Sequence, residues 1–250
     1  MNLIDAIQPV LPALIAIVGA GGKTTALFQL ARQVEGLAWV TTTTHLGTFQ
    51  ADLADKHFMV TSMEEMVPDH FKKQKVTLIT GPFAANHRLG YLEPEILEEL
   101  HQSAEREKIS LFIEADGARS LPVKAPARHE PAIPIWVHYV ITVIGLSALG
   151  KPLDPRWVFR PELFSSITNQ KANSLITLEC LGDLLIHPEG GLKGLPVQAQ
   201  KVALLNQADT VETQTQARSI VPKLLGGGYD KVIIGSLNLV PHALECFSNF

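Results

Sequence analysis

The sequence is poor in cysteine: Cys180 and Cys246 are its only two, and no C-x-x-C accompanies them. This excludes a disulfide framework and a cysteine zinc site, and points to a reducing cytoplasm. Charged residues are also scarce at 18%, below the ~25% of an average globular chain, which argues against extensive disorder. The formal charge of −4 comes without any block of five like charges, so nucleic acid is not an expected partner. Long apolar runs are absent too. The most apolar stretch, Val137 to Gly150, is interrupted by His138, Thr142 and Ser147 and falls short of the ~20 residues that span a bilayer. Met1 to Asp5 lacks the basic and apolar segments of a secretory signal, so the expectation is a cytoplasmic protein with no membrane partner.

What is present is a large apolar fraction, 46% of 250 residues, enough to build one α/β domain. Short apolar runs alternate with segments of helical period, as when helices cover both faces of a mostly parallel sheet. The runs are Ala13–Val18, Leu37–Thr42, His57–Val60, Lys75–Thr80, Ile109–Ala115, Val137–Ile144, Val202–Asn206 and Lys231–Gly235. Leu27, Leu30, Ala31 and Val34 share one helical face, as do Ala217, Ile220, Val221 and Leu224, and Pro94 suits the first turn of a helix through about Glu105. The expected architecture is three layers resembling P-loop NTPases over residues 1–250. The segment at about 150–196, with a short helix around Leu178–Ile186, is a candidate small subdomain. Gly117 to Pro134 is too long for a plain turn, and loops of that length are usually functional or disordered.

The first strand runs into Gly19-Ala20-Gly21-Gly22-Lys23-Thr24-Thr25 and then a helix. A glycine-rich turn there delivers backbone N–H groups and a helix N-terminus to one point, an anion site. Lys23 would reach the terminal phosphates of ATP or GTP, and the Thr24 hydroxyl would ligate Mg²⁺. The strict G-x-x-x-x-G-K-[ST] spacing requires glycine where Ile17 stands. The loop is closer to the shortened G-x-x-G-K-T-T of Mur ligases and folylpolyglutamate synthetases, and to the glycine-rich loops of nickel-insertion GTPases. The strand ending Glu114-Ala115-Asp116 turns abruptly acidic, as a strand does when its terminal carboxylate meets a magnesium shell. Asp116 is the expected metal-shell residue, and Glu114, on the same face by the period of two, would orient the attacking water or another ligand. The alternative is that both carboxylates only cap the sheet.

Thr41-Thr42-Thr43-Thr44-His45 leaves the second strand at the edge where open α/β sheets bind ligands. Thr44 and His45 are candidates for contact with substrate or metal, though threonine is also a good strand former. Arg119, Lys124 and Arg128 are cations suited to phosphate or an anionic substrate, and His129 lies beside them. His129, His138 and His187 have no metal-ligand spacing. Asn206-Gln207-Ala208-Asp209 resembles the N-K-x-D element of GTPases, in which the Asn holds the loop and purine edge and the Asp reads guanine; Gln207 replaces the lysine.

As an ensemble, Val18–Thr25, Thr41–His45, Glu114–Arg119, Lys124-Ala125-Pro126, His129-Glu130-Pro131, Ala148–Leu153, Arg160-Pro161-Glu162 and Asn206–Asp209 resemble the YqeC family, described as selenium-dependent hydroxylase accessory proteins. The resemblance implies a cytoplasmic nucleotide-binding protein that helps mature molybdenum hydroxylases carrying a labile selenium. Its partners would be a client hydroxylase or that enzyme's cofactor-maturation proteins. Three functions follow: a slow NTPase driving delivery, an ATP-dependent ligase or kinase acting on a small anionic substrate held by the Gly117–Pro134 loop, or a nucleotide sensor that does not hydrolyse.

Overall fold

The computed structural model describes residues 1–85, 88–239 and 244–249. In chain order its strands are β1 (Leu14–Gly19), β2 (Ala38–Thr42), β3 (Leu46–Gly47), β4 (Lys56–Met59), β5 (Val76–Ala84), β6 (Arg88–Gly90), β7 (Ser110–Glu114), β8 (Val123–Lys124), β9 (Tyr139–Gly145), β10 (Val158–Phe159), β11 (Gln200–Asn206), β12 (Lys231–Ile234) and β13 (Glu245–Ser248). The helices are α1 (Leu3–Ile7), α2 (Lys23–Gln33), α3 (Pro68–Phe71), α4 (Pro94–Glu107), α5 (Pro161–Thr168), α6 (Leu178–Ile186), α7 (Val211–Ala217) and α8 (Val221–Gly226).

The principal sheet runs β13-β12-β11-β9-β1-β7-β2-β5-β6-β3, with β4 also paired to β5. The eight strands expected from the apolar runs are present with ends shifted by a residue or more, and they pair in parallel. Among the described residues only β13, β6 and β3 join this sheet antiparallel. The architecture is α/β, a mostly parallel sheet with helices on both faces.

Alternation along β1 shows why the strands read as unbroken apolar runs. Ile15 and Ile17 pack with Ala26, Leu27 and Leu30 of α2. Leu14, Ala16 and Val18 point the other way, into a core shared with Ile96, Leu100 and Ala104 of α4. A strand buried on both faces has no polar side to alternate with. Farther along the second face, Ala203 and Leu205 of β11 and Val232 and Ile234 of β12 share a core with Phe164 of α5, Cys180 and Leu181 of α6 and Leu224 of α8. The segment at about 150–196 is therefore packed onto the sheet through its helices. The helical face from Ala217 to Leu224 is broken into two helices by a tight turn at Arg218–Ile220, because Pro222 lacks the N–H that a continuous helix needs. No described helix is long and apolar enough to cross a membrane.

Parallel pairing brings the carboxyl ends of β1, β7, β2, β9 and β11 to one sheet edge. Gly19, Glu114, Thr42, Gly145 and Asn206 end those strands, and the candidate site is built there.

Candidate functional site

The glycine-rich loop is locked by backbone geometry. Gly19 and Gly22 have φ of +94° and +127°, and a Cβ at Gly19 would stand 2.1 Å from the Val143 carbonyl oxygen, so neither place admits another residue without a shift. The N–H groups of Gly19, Ala20 and Gly21 are satisfied internally, by Asp116 Oδ2 at 3.0 Å, Val143 O at 2.8 Å and Leu121 O at 3.0 Å. The next donors, at the start of α2, have no side-chain cap and no acidic residue in the first turn. Three turns of helix behind uncapped N–H groups favour an anion at this point.

Lys23 is buried at the floor. Its Nζ donates to Gly19 O at 2.9 Å and lies 3.2 Å from Asp116 Oδ1 and 3.8 Å from Glu114 Oε1. Thr24 Oγ1 donates to Glu114 Oε2 at 2.8 Å and accepts from Gln50 Nε2 at 2.8 Å. Asp116 Oδ1 is buried without a hydrogen-bond partner; the nearby Lys23 ammonium offers charge but no aligned N–H. Burial pushes the Glu114 carboxyl up from its ordinary value, Lys23 and the Thr24 hydroxyl oppose this, and the Asp116 charge adds to it.

Behind this floor runs a chain of buried charges. Lys124 Nζ sits 2.7 Å from Asp116 Oδ2 and 3.0 Å from Glu130 Oε2, and it also donates to Gly117 O at 2.7 Å. Glu130 in turn meets Arg160 Nη1 at 2.6 Å. Burial alone would raise the Glu130 carboxyl, yet the Arg160 hydrogen bond and the Lys124 charge overcome it and hold the group at about 2. Arg160 and Arg119 both lie over the Phe159 ring, at 4.1 and 4.8 Å from its centroid.

The opposite wall comes from the threonine run and the β3–β6 flap. Thr42 Oγ1 donates to Glu114 O at 2.9 Å and accepts from Thr44 N–H at 3.1 Å, while Thr43 Oγ1 donates to Ala132 O at 2.7 Å. These threonines shape the chain around β7. The His45 ring meets Tyr91 edge to face at 5.8 Å, and its carbonyl accepts from Arg88 Nη2 at 2.6 Å. Burial, with help from Arg88, lowers the His45 imidazole.

A cleft of about 1120 Å³ joins these parts. Gly21, Gly22, Lys23, Thr24, Thr25, Thr44, His45, Glu114, Arg119 and His129 line it, so most of the residues singled out from sequence converge. Asp116 and Lys124 lie just behind, joined to it through Lys23 and Glu130. Asn206 is buried behind the loop: its Nδ2 donates to Gly21 O at 2.7 Å and its Oδ1 accepts from Leu237 N–H at 3.0 Å. Asp209 is exposed and is not brought to the cleft, whereas Gln207 is.

Four participants had no role assigned from sequence. Gln50 holds Thr24 from a short helical turn with no motif around it, and Arg88 comes from the flap. Glu130 and Arg160 belong to recognisable segments, but their pairing spans 30 residues that include the whole of β9. Among the described residues no cluster of three or more His, Cys, Asp or Glu is placed to hold a metal ion. The donors present are a hydroxyl and carboxylates, which suit Mg²⁺, an ion that keeps waters and phosphate oxygens in its shell.

No solved structure matches the chain. The model of the YqeC protein family matches residues 15–162. A protein of Escherichia coli (strain K12), named "Uncharacterized protein YqeC", is 30% identical over 244 residues, which cover 95% of this chain and 93% of that one. The chain belongs to the YqeC family.

Proposed function

We propose that this protein binds Mg²⁺ and a nucleoside triphosphate, ATP or GTP, at the glycine-rich loop, hydrolyses it slowly, and serves as an accessory factor in maturing selenium-dependent molybdenum hydroxylases. The observation that carries the nucleotide reading is the buried Asp116 Oδ1, which accepts no hydrogen bond and lies beside Lys23 near the uncapped N-terminus of α2. A buried carboxylate oxygen without a hydrogen bond is costly, and a Mg²⁺ ion held at the loop would satisfy it. Thr24 and Asp116 would hold the magnesium, whose charge would stabilise the negative charge developing on the phosphates. Lys23 would give up its carboxylate contact for the terminal phosphates, and Glu114, with its raised proton affinity, would orient and deprotonate an attacking water. The accessory role rests on the resemblance of the whole set of motifs.

A second reading, activation of a small anionic substrate, is favoured by Arg119, an exposed cation lining the cleft with no ion pair among the described residues. Calorimetry on wild type and Lys23→Ala tests the nucleotide site. Losing the charge-assisted contact should weaken Mg²⁺-ATP or Mg²⁺-GTP binding by about 2–3 kcal/mol, some 30- to 150-fold. Equal affinities in the two proteins would remove the loop from the proposal, and phosphate release by wild type decides whether binding leads to hydrolysis.

A further inference from the structure

The cleft is roomy, and two of its cations are left without an ion pair among the described residues. Its 1120 Å³ exceeds the roughly 300–1,000 Å³ usual for a site holding one small ligand. Lys23, Arg88, Arg119 and Arg160 line it against the carboxylates of Glu114 and Glu130, in a protein whose overall charge is −4. Lys23 and Arg160 are paired with those acids or their neighbours. Arg88 and Arg119 have no ion pair among the described residues.

Arg119 is also held in place. It and Ser120 both take left-handed backbone, φ +50° and +58°, a conformation that costs of order 1–3 kcal/mol per non-glycine residue and persists only where surroundings fix it. Here the turn closes through Leu121 N–H to Ala118 O at 3.0 Å, and Leu121 O accepts from Gly21 N–H at 3.0 Å. Arg119 is thereby registered directly against the glycine-rich loop. The Phe159 ring lies 4.8 Å from its guanidinium, and Arg119 lines the cleft without an ion pair among the described residues, a cation whose fork of donors suits carboxylate or phosphate. The same cleft exposes two large aromatic side chains, Phe49 at 72% and Tyr91 at 44%. Exposed rings in the same cleft as unpaired cations match a ligand with a flat apolar body and an oxyanion.

We propose that the part of the cleft around Arg119 and Phe159 binds a second small ligand beside the nucleotide: a flat or aromatic molecule carrying a carboxylate or a phosphate. The location of the first ligand rests on the nucleotide reading above.

The test is ligand-observed NMR titration of the full chain with benzoate and with phenyl phosphate, using benzyl alcohol as the ring without charge. It is run alone and in the presence of Mg²⁺ and a non-hydrolysable ATP analogue. Binding of either anion, weakened about tenfold or more in Arg119→Gln but unchanged in Lys23→Ala and with the analogue bound, is the expected result. Whichever anion binds tighter identifies the oxyanion. Phe159→Leu, which removes the ring beneath the guanidinium and keeps an apolar side chain, should act in the same direction. Failure of both anions to bind, equal binding by Arg119→Gln, or benzyl alcohol binding as well as the anions would overturn the proposal. So would loss of binding in Lys23→Ala or on adding the analogue, since the anion would then be sitting at the glycine-rich loop. If the analogue itself does not bind wild type while the anions bind through Arg119, the nucleotide reading fails and the second site stands.

Discussion

Two sets of ion pairs in this protein use the same side chains in opposite surroundings. At the site, Lys23, Asp116, Lys124, Glu130 and Arg160 form a chain in which Lys124 is 1% exposed and Asp116 3%. Away from the site, Lys223 of α8 reaches Glu179 and Asp183 of α6, and Arg218 meets Glu245, with side chains 25–73% exposed. Water screens the second set, and such pairs contribute about 0–1 kcal/mol. The first set has been stripped of water, a cost of several kcal/mol per ion that mutual attraction repays only when every partner is in place. Buried charge of this kind is poor value as a structural device. The difference between the two sets singles out the same end of the sheet as the motifs do.

The sharpest way to break the comparison is Lys124→Met. The substitution leaves Asp116 and Glu130 buried without their shared cation, so unfolding in urea should show a loss of about 3–5 kcal/mol. A loss of under about 1 kcal/mol would place the buried chain in the same class as the surface pairs.

Acid gives a graded version. The fold holds the Glu130 carboxyl at about 2, below its ordinary 4.5, so its stabilisation is fully present above pH 4.5 and is lost as pH falls through about 2. Glu114 acts in the other sense: its raised value means that its contribution is present below its ordinary 4.5 and is lost as pH rises through the folded value. Urea midpoints of wild type should therefore fall between pH 4.5 and 2 more steeply than those of Glu130→Gln. Parallel curves would show that Glu130 is not held ionised by the chain.

Asp209 sharpens the comparison from the other side, as an exposed carboxylate outside the cleft with no ion pair among the described residues. If it accepts from guanine N1 and N2, Asp209→Asn should lower GTP affinity by roughly 1–3 kcal/mol and improve binding of xanthosine triphosphate. Equal ATP and GTP affinities, unmoved by the substitution, would restrict Asn206–Asp209 to the structural tie that Asn206 makes to Gly21.

These contrasts follow what was legible in the sequence. The parallel strands were visible because burial on both faces writes an apolar run, and Lys23, Thr24, Glu114 and Asp116 were visible because strand ends and a glycine turn fix them locally. The two-residue β8 and β10 left no period to read, yet their pairing of Val123 with Val158 and Lys124 with Phe159 brings Arg160 to Glu130. Gln50 and Arg88 reach the cleft from a short helical turn and a three-residue strand, elements too brief to leave a period and positioned by tertiary packing. The 3.0 Å bond from Gly21 to Leu121, which registers Arg119, joins segments a hundred residues apart in the sequence.

The smallest effect is expected at Lys223, and it separates charge from packing. Its ammonium contacts Glu179 and Asp183, while its stem lies on Gly182, where Cδ would stand 3.3 Å from an added Cβ. Lys223→Met keeps most of that stem and removes the charge, so unfolding should shift by no more than about 1 kcal/mol. About 1 M salt, with a screening length near 3 Å, should erase most of that shift. Lys223→Ala also uncovers the helix contact and should cost somewhat more, by an amount salt does not change. The Lys124→Met loss should survive the same salt, because ions do not reach a pair buried on both sides. If both lysine-to-methionine losses were salt-sensitive to the same degree, the distinction between the buried chain and the surface pairs would fail.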